Sequence, residues 1–296
     1  MKAIYFLPAR KFRSEQQRHF IISVVIPATI ALGGPAILAE GWFSWKGVGI
    51  GLFMWWLVGC LGVSVGFHRQ FAHRSFTTPI WLRYILGGFG QMAMQGSVIY
   101  WTSLHRCHHS LSDLPGDPHS PSIAARPGKN SFSAFIIGHI GWTLAHDVPK
   151  PTRYAVDLMA DASAQRLSKQ YWAWAALGWT VPSVFGAILL TTASTSTLQA
   201  AMIGAWWGGA LRLVVGHQII WSINSLCHRF GSRPHTTSDS STNNAWLAIP
   251  SWGESWHNNH HHKPTSARLG SAWWQIDVGW WCIMGLRWVG LASLVR

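Results

Sequence analysis

Histidine side chains able to bind metal occur in four short groups along the chain. The groups are His68 and His73 in HRQFAH, His105, His108 and His109 in HRCHH, His228 in NSLCH, and His257, His260, His261 and His262 in HNNHHH. Neutral imidazole is the commonest metal ligand among side chains, and ligation by imidazole alone suits zinc, copper, iron or nickel better than magnesium or calcium. A closed zinc site takes four ligands, so this many histidines predicts two metals with coordination positions left over. Two redox metals can activate dioxygen against an apolar chain.

The last group, in GESWHNNHHH, has the densest spacing. In a helix, positions i, i+3 and i+4 lie on one face, so we expect His257, His260 and His261 to point their rings at one spot. The alternative is a solvated histidine-rich loop. The other three groups favour a shared metal site.

The composition indicates a membrane protein. Of 296 residues, 49% are hydrophobic, 11% are charged and 21 are Trp, an amphipathic residue suited to membrane–water interfaces. The net charge is +13, but the basic residues flank hydrophobic segments instead of forming a nucleic-acid-binding run. Cys60, Cys107, Cys227 and Cys282 show no paired spacing, which argues against a disulfide framework. We expect no cleavable signal peptide.

Hydropathy predicts an all-α integral membrane protein with four transmembrane helices in two hairpins. The predicted spans are about residues 20–39, 47–67, 171–190 and 198–223 of a single domain covering residues 1–296. Residues 84–104 are predicted to lie at the interface or to dip in and return, and residues 132–144 and 271–296 to lie on the membrane surface. Because positive charge precedes the first span and follows the second, the termini and all histidine groups are predicted to be cytoplasmic. They would form a histidine-rich cap holding two metals.

Two ionisable residues, Arg212 and His217, fall inside the fourth span. An intramembrane ionisable residue is a functional hypothesis by default, although Arg212 could also face the protein interior or snorkel. A metal transporter would need ligands near the bilayer midplane, where only His217 is found. Transport is therefore disfavoured.

Together the histidine groups resemble those of membrane-bound fatty acyl desaturases of the stearoyl-CoA Δ9 type. HRQFAH, HRCHH and HNNHH match the three histidine boxes, and the similarity extends to GFHR, DPHS, NSLCHRFGSRP and Asn243–Asn244 over residues 45–280. The resemblance implies a cis double bond made with dioxygen and two electrons. It implies two iron ions (Fe²⁺) held by His68, His73, His105, His108, His109, His228, His257, His260 and His261. Asn224 is expected to hold a metal-bound water, and His262 is left outside.

The same resemblance suggests substrate contacts and also marks departures. Gln95 and Trp101 stand where similar enzymes line the substrate entrance. Animal enzymes carry three cations for the CoA phosphates where this chain has Ser103 and His146–Asp147. The departing positions are Ser103, His146 and Asp147, and the possible substitutes are Arg153, Arg166 and Lys169. The loss weakens the assignment of a CoA carrier.

The expected function is thus Δ9 desaturation of an acyl-CoA in a bacterial inner membrane. An acyl-lipid substrate is the first alternative, and a di-iron hydroxylase of lipid or alkane is the second. We expect no cytochrome b5 domain, so a separate ferredoxin, rubredoxin or cytochrome b5 with its reductase would supply electrons. Chain length is expected to depend on side chains within residues 20–67 that close the far end of the acyl cavity.

Overall fold

The computed structural model describes residues 5–38 and 42–294, and these are mostly helical. The helices are α1 (residues 13–38), α2 (Trp45–Ala72), α3 (Ile80–Gln91), α4 (Val98–Leu111), α5 (Ser131–His139), α6 (Ala162–Lys169), α7 (Tyr171–Leu190), α8 (Thr197–His228), α9 (His257–His262) and α10 (Val278–Trp288). Single turns lie at Ala9–Lys11, Gly141–Thr143, Pro151–Tyr154, Val156–Met159 and Ala245–Leu247. Two-residue strands pair Phe6–Leu7 with Val148–Pro149 and Phe76–Thr77 with Ser293–Leu294, both antiparallel.

Three helices in the described ranges are long and apolar enough to cross a membrane: α2, α7 and α8. They coincide with the second, third and fourth predicted spans. The first predicted span is helical as far as Leu38, within α1, and its last residue, Ala39, lies outside the described residues. Helix α1 is not among the three, so the four-span arrangement remains a prediction.

Helices α7 and α8 form a hairpin whose backbones touch. A Cβ added to Gly186 would lie 2.2 Å from the Ala200 carbonyl oxygen, and one added to Gly204 would lie 2.1 Å from the Pro182 carbonyl oxygen. Small residues at this spacing let membrane helices approach closely, where packing rather than hydrophobicity drives association. Larger residues at either glycine would force the hairpin apart.

Helix α2 widens before it reaches the histidines. From Trp56 to Ala72 it follows an i→i+5 pattern, and the His73 amide donates to the His68 carbonyl at 3.0 Å. In an ordinary α-helix, residues five apart point about 140° away from each other. The wider turn instead brings His68 and His73 together, with ring centroids 4.7 Å apart. The helix geometry therefore explains the HxxxxH spacing.

The apolar stretch at residues 84–104 breaks into α3 and α4 around an internal turn. Arg212 in α8 donates to the Met92 carbonyl at 3.0 Å, and His217 Nε2 lies 2.8 Å from the Ala93 carbonyl. Arg212 also donates to the carbonyls of Gly208 and Gly178. Arg212 thus faces the protein interior, and its hydrogen bonds hold the turn against the middle of α8.

The carboxyl-terminal helix α10 packs one face on α2 instead of lying wholly on a surface. Ile283 is buried, and Asp277 at the start of α10 pairs with Arg69 of α2 at 2.8 Å. The opposite face carries the exposed side chains of Trp281 and Trp288. One face of the tail is therefore packed within the protein, and the membrane-surface position of the other face stays a prediction.

Candidate metal centre

Nine histidines meet in two adjacent groups where α2, α4, α8 and α9 converge. The five-histidine group contains His68, His73, His105, His109 and His260, and the four-histidine group contains His108, His228, His257 and His261. Within each group, the potential ligand nitrogens lie within 4.8 Å of one another. The nine are the histidines that the resemblance selected.

In the five-histidine group the ring nitrogens converge at hydrogen-bond distance. His105 Nε2 lies 2.7 Å from His73 Nε2 and 3.1 Å from His109 Nε2. His260 Nε2 lies 3.1 Å from His68 Nε2 and 3.0 Å from His109 Nε2. One cation at the centre of this ring of nitrogens could be reached by all five side chains.

The four-histidine group likewise has ring nitrogens that converge on one point. His228 Nε2 lies 3.1 Å from His257 Nε2. The Nε2 atoms of His108 and His261 are buried without a hydrogen-bond partner. Buried polar atoms normally have partners, so two orphaned nitrogens beside two facing ones fit a metal cation as their shared partner.

Each HxxHH box supplies both groups, which corrects the expectation that His257, His260 and His261 point at one spot. His257 and His261, four residues apart on α9, enter the four-histidine group, whereas His260 enters the other. Adjacent residues on a helix point about 100° apart, so His260 and His261 diverge. On α4 the box is divided in the same way. His108 belongs to the four-histidine group, whereas His105 and His109 belong to the five-histidine group.

Four carboxylates lie against the outer nitrogens of these histidines. The Nδ1–oxygen distances are 2.5 Å for His68–Glu254, 2.9 Å for His108–Asp117, 3.0 Å for His228–Asp113 and 2.6 Å for His261–Asp239. A carboxylate that accepts the Nδ1 proton fixes the tautomer and turns the Nε2 lone pair inward, as in metal sites with a supporting outer shell.

Sequence reasoning did not assign these carboxylates a role. Glu254 occurs in GESWHNNHHH and Asp117 in DPHS, but neither segment predicts which histidine its carboxylate contacts. A usable signal was present, because the chain has only ten acidic residues and four of them support site histidines.

Burial keeps most of these imidazoles neutral. Burial and the neighbouring histidines lower the pKa of His73, His105, His109, His257 and His260 well below the usual range. Neutral imidazole is the form that binds metal.

At two histidines, a neighbouring carboxylate opposes the effect of burial on the pKa. Burial lowers the pKa of His261 to about 4, although its hydrogen bond to Asp239 opposes the shift. Burial also acts to lower the pKa of His108, but the charge of Asp117 outweighs it and raises that pKa. The carboxylates thus make their histidines more basic, which strengthens them as ligands.

The donor set fits two metal ions. Lone pairs on facing Nε2 atoms about 3 Å apart repel each other unless a proton or a metal cation lies between them. All nine donors are imidazoles, the ligand type that suits iron, zinc, copper or nickel. The residues present therefore fit a pair of such ions.

His119 is a further histidine close to the four-histidine group. With His108 and Asp117 it forms a third, overlapping set of possible ligands. Its ring lies 4.6 Å from that of His108 and 5.5 Å from that of Trp142. It belongs to the DPHS segment and is not among the nine histidines that the resemblance implies.

An apolar cavity, called here the metal-side cavity, reaches both groups. It is lined by Trp55, Gly59, Val63, His68, Gln95, Trp101, Leu104, His105, His119, Trp142, Ile219, Ile220, Ile223, Asn224, Ser251, Trp252, Glu254 and His257. Trp101 stacks on His105 at 5.0 Å and donates from Nε1 to Gln95 Oε1 at 3.3 Å. Asn224 thus shares a wall with His68 and His257. His262 lies outside, exposed and stacked on His235.

A second cavity of about 540 Å³, the mouth cavity, adjoins the first at Gln95 and Trp142. Its walls include His19 and Ser23 of α1, Tyr171 of α7 and Lys169. Helix α1 and the candidate membrane span α7 therefore form part of the wall of this cavity.

The three positions that match phosphate-binding cations in the animal enzymes carry no positive charge toward the mouth cavity. Ser103 is buried and donates to the Ile99 carbonyl. His146 is buried, bonded to the Tyr100 hydroxyl, and burial lowers its pKa to about 4. Asp147 accepts from the Ala9 amide. Of the suggested substitutes, Lys169 lines the mouth cavity, whereas Arg153 and Arg166 are exposed.

Comparison with known proteins agrees with this site. The family model described as fatty acid desaturase matches residues 43–278. A hex-5-enoyl-(acyl-carrier protein) acetylenase of Moorena producens is 40% identical, covering 95% of this chain and 86% of that protein. An sn-1 stearoyl-lipid 9-desaturase of Anabaena variabilis is 38% identical, covering 86% and 85%, and an acyl-CoA C20 Delta5-desaturase of Anemone leveillei is 35% identical, covering 90% and 80%. The chain belongs to the fatty acid desaturase family.

Proposed function

We propose that the protein introduces a cis double bond into a long-chain fatty acyl group, using dioxygen and two iron ions. The observation that carries this proposal is the placement of two all-histidine groups at the wall of an apolar cavity. When bound, iron supplies the dioxygen activation and the C–H cleavage that side chains do not. The nine histidines hold the two ions, five on one and four on the other.

Asn224 complements the group with fewer ligands. It lies in the cavity wall with His257, a member of the four-histidine group. We propose that its side-chain amide holds a water on the metal of that group. This would bring the ligand number of the two metals to the same value.

The metal-side cavity positions the chain and excludes water. Val63, Ile220 and Ile223 line it with aliphatic surface beside the imidazoles. Gln95 Nε2 is buried without a partner where the two cavities meet. We propose that it donates to the acyl carbonyl, so that the hydrocarbon continues past Trp101 toward the metals.

The preferred acyl carrier is a membrane glycerolipid, with Δ9 the proposed position. Helix α7, a candidate membrane span, and helix α1, which we propose as a further span, wall the mouth cavity, so a lipid could enter from the bilayer. The three positions expected to hold phosphate-binding cations are Ser103, His146 and Asp147, none of them positively charged there. The Anabaena relative is named as a stearoyl-lipid 9-desaturase, which matches the proposed carrier and bond position.

Acyl-CoA is the second candidate, favoured by Lys169 at the mouth and by the acyl-CoA desaturase among the relatives. For either carrier, we propose a separate electron-donor protein and an active site on the cytoplasmic side of a bacterial inner membrane. The positive charge that flanks the predicted spans supports that orientation.

The test combines metal analysis with lipid analysis. Purified protein is expected to hold about two irons per chain, as in other two-metal sites. Expression in a host without desaturase activity is expected to yield monounsaturated chains by gas chromatography, and a His260→Ala control none. A single zinc per chain would contradict the iron assignment, and hydroxylated products would favour the hydroxylase alternative.

The carrier is tested separately in membranes. Purified enzyme with a reducing system is given stearoyl chains either on a glycerolipid or on CoA. A product formed on the lipid without prior transfer supports the lipid carrier. A product formed only on CoA replaces it with the second candidate.

A further inference from the structure

A short apolar loop lies between α8 and α9. It covers residues 245–252, has the sequence AWLAIPSW and contains no charged residue. Trp246 is 93% exposed and Ile249 is 60% exposed, whereas Ala248 between them is buried. Large apolar side chains exposed together mark a surface that contacts lipid or another protein. The loop therefore has an inner side on the protein and an outer side that lacks a partner within the described residues.

The loop is attached to the middle of two candidate membrane spans. Trp55 of α2 donates from Nε1 to the Pro250 carbonyl at 3.1 Å. Trp55 precedes His68 by about 20 Å of helix at the usual rise per residue. The same indole packs on Gly216 in the middle of α8, where an added Cβ would lie 2.7 Å from the ring. Because spans of this kind cross a hydrocarbon core of about 30 Å, Pro250 lies at the depth of that core and not at the level of the histidines.

The backbone of the loop has hydrogen-bond partners close by in the chain. Asn244 Oδ1 accepts from the amides of Trp246 and Leu247. The Ser251 amide donates to the Leu247 carbonyl at 2.9 Å. Backbone groups without partners are too costly in hydrocarbon, so only a segment that bonds internally can lie there. These bonds make the loop compatible with lipid on its outer side.

We propose that the loop of residues 245–252 inserts into the bilayer beside α2, with Ile249 in the hydrocarbon. The inference goes beyond the proposed function and does not depend on it. Acyl chains of lipid fit this surface better than a protein partner, because the loop continues the outer surface of two candidate spans. Next to Trp55, that surface is formed by the exposed side chains of Leu52 on α2 and Val215 on α8.

Insertion of the loop has a consequence for the metal centre. The loop leads directly into Glu254, whose carboxylate lies 2.5 Å from His68, and then into α9 with the last histidine box. On its inner side, Ser251 and Trp252 line the metal-side cavity. The bilayer thus holds against α2 the segment that carries Glu254 and α9.

The experiment measures the depth of single spin labels on the full-length protein in phosphatidylcholine vesicles. Labels are attached to Ile249→Cys and to Trp246→Cys, each in a Cys282→Ser background, because the other native cysteines are buried. Val215→Cys on α8 is the control for lipid, and Ser238→Cys, at an exposed polar position, is the control for water. Power saturation compares contact with oxygen, which concentrates in lipid, and contact with a water-soluble chromium complex.

The label at Ile249 is expected to match the label at Val215, with a ratio of oxygen to chromium contact several-fold above that at Ser238. A ratio equal to that at Ser238 overturns the inference. Shielding from both reagents also overturns it, and would assign the surface to a second protein or a second copy of the chain. If Ile249→Cys does not accumulate, Trp246→Cys decides alone. The measurement needs neither metal nor substrate, so it stands whether or not the protein desaturates an acyl chain.

Discussion

The five-histidine group takes His68 from the membrane helix α2 and His73 from the position directly after its end, whereas the four-histidine group takes one member from the end of α8 and none from α2. Their supporting carboxylates differ more. One carboxylate, Glu254, lies against the first group, and it also contacts Arg69 at 3.3 Å. Three carboxylates, Asp113, Asp117 and Asp239, lie against the second. The first group has a fifth histidine, whereas the second has more negative charge beside its four histidines, which would strengthen them as metal ligands.

This difference predicts that each group can lose its metal separately. We expect His228→Ala to lose the metal of the four-histidine group and His260→Ala to lose the other. Each variant should retain about one iron per chain and lose activity by more than about 100-fold, beyond the cost of losing an outer-shell partner. Iron analysis together with turnover provides the measurement. A variant that keeps both irons would show that its histidine is not a ligand.

Replacing a supporting carboxylate should affect iron binding less than replacing a histidine, and the effect should differ between the two groups. Asp113→Asn keeps the shape of the side chain but removes the charge beside His228, and Glu254→Gln does the same beside His68. We expect Asp113→Asn to weaken iron binding about 10–100-fold. Glu254→Gln should have a smaller effect on iron, because its group has a fifth histidine. Competition with a chelator measures both, and equal losses would contradict the comparison.

The sequence was sufficient to identify the nine histidines, but not to show which of them belong to the five-histidine group and which to the four-histidine group. Their spacing is local, and the apolar spans around them are long, so both could be read along the chain. Which histidine joins which group depends on helix rotation, which separates His260 from its neighbour His261. The widening of α2 that unites His68 with His73 also has no signal in hydropathy.

The carboxylates were missed for a different reason. Asp113 and His228 are 115 residues apart, and Asp239 and His261 are 22 apart. Such pairs form only when the loops close over the helix ends. Contacts of this kind require the packed structure.

Arg106 lies within the second histidine box but belongs to neither histidine group. Its replacement tests how much residues around the histidines stabilise their arrangement. It donates to the carbonyls of Phe71 and Ala72 at the end of α2, and it pairs with Asp157 at 2.6 Å. Arg106→Met leaves these groups without their donor, so we expect about 2 kcal/mol of lost stability. Activity should fall several-fold, with iron lost first from the five-histidine group. Equal loss of iron from both groups would show that Arg106 does not act specifically through the end of α2.

The smallest effect is expected at His262, one position beyond the last group member. Its ring stacks on His235 at 4.3 Å and is exposed, so it offers no nitrogen to either group. His262→Ala should therefore keep two irons and change turnover by less than about twofold, as surface substitutions usually do. Measured beside His261→Ala, which should lose activity, it defines where the site ends. A loss of iron in His262→Ala would extend the four-histidine group by one ligand and remove the asymmetry between the groups.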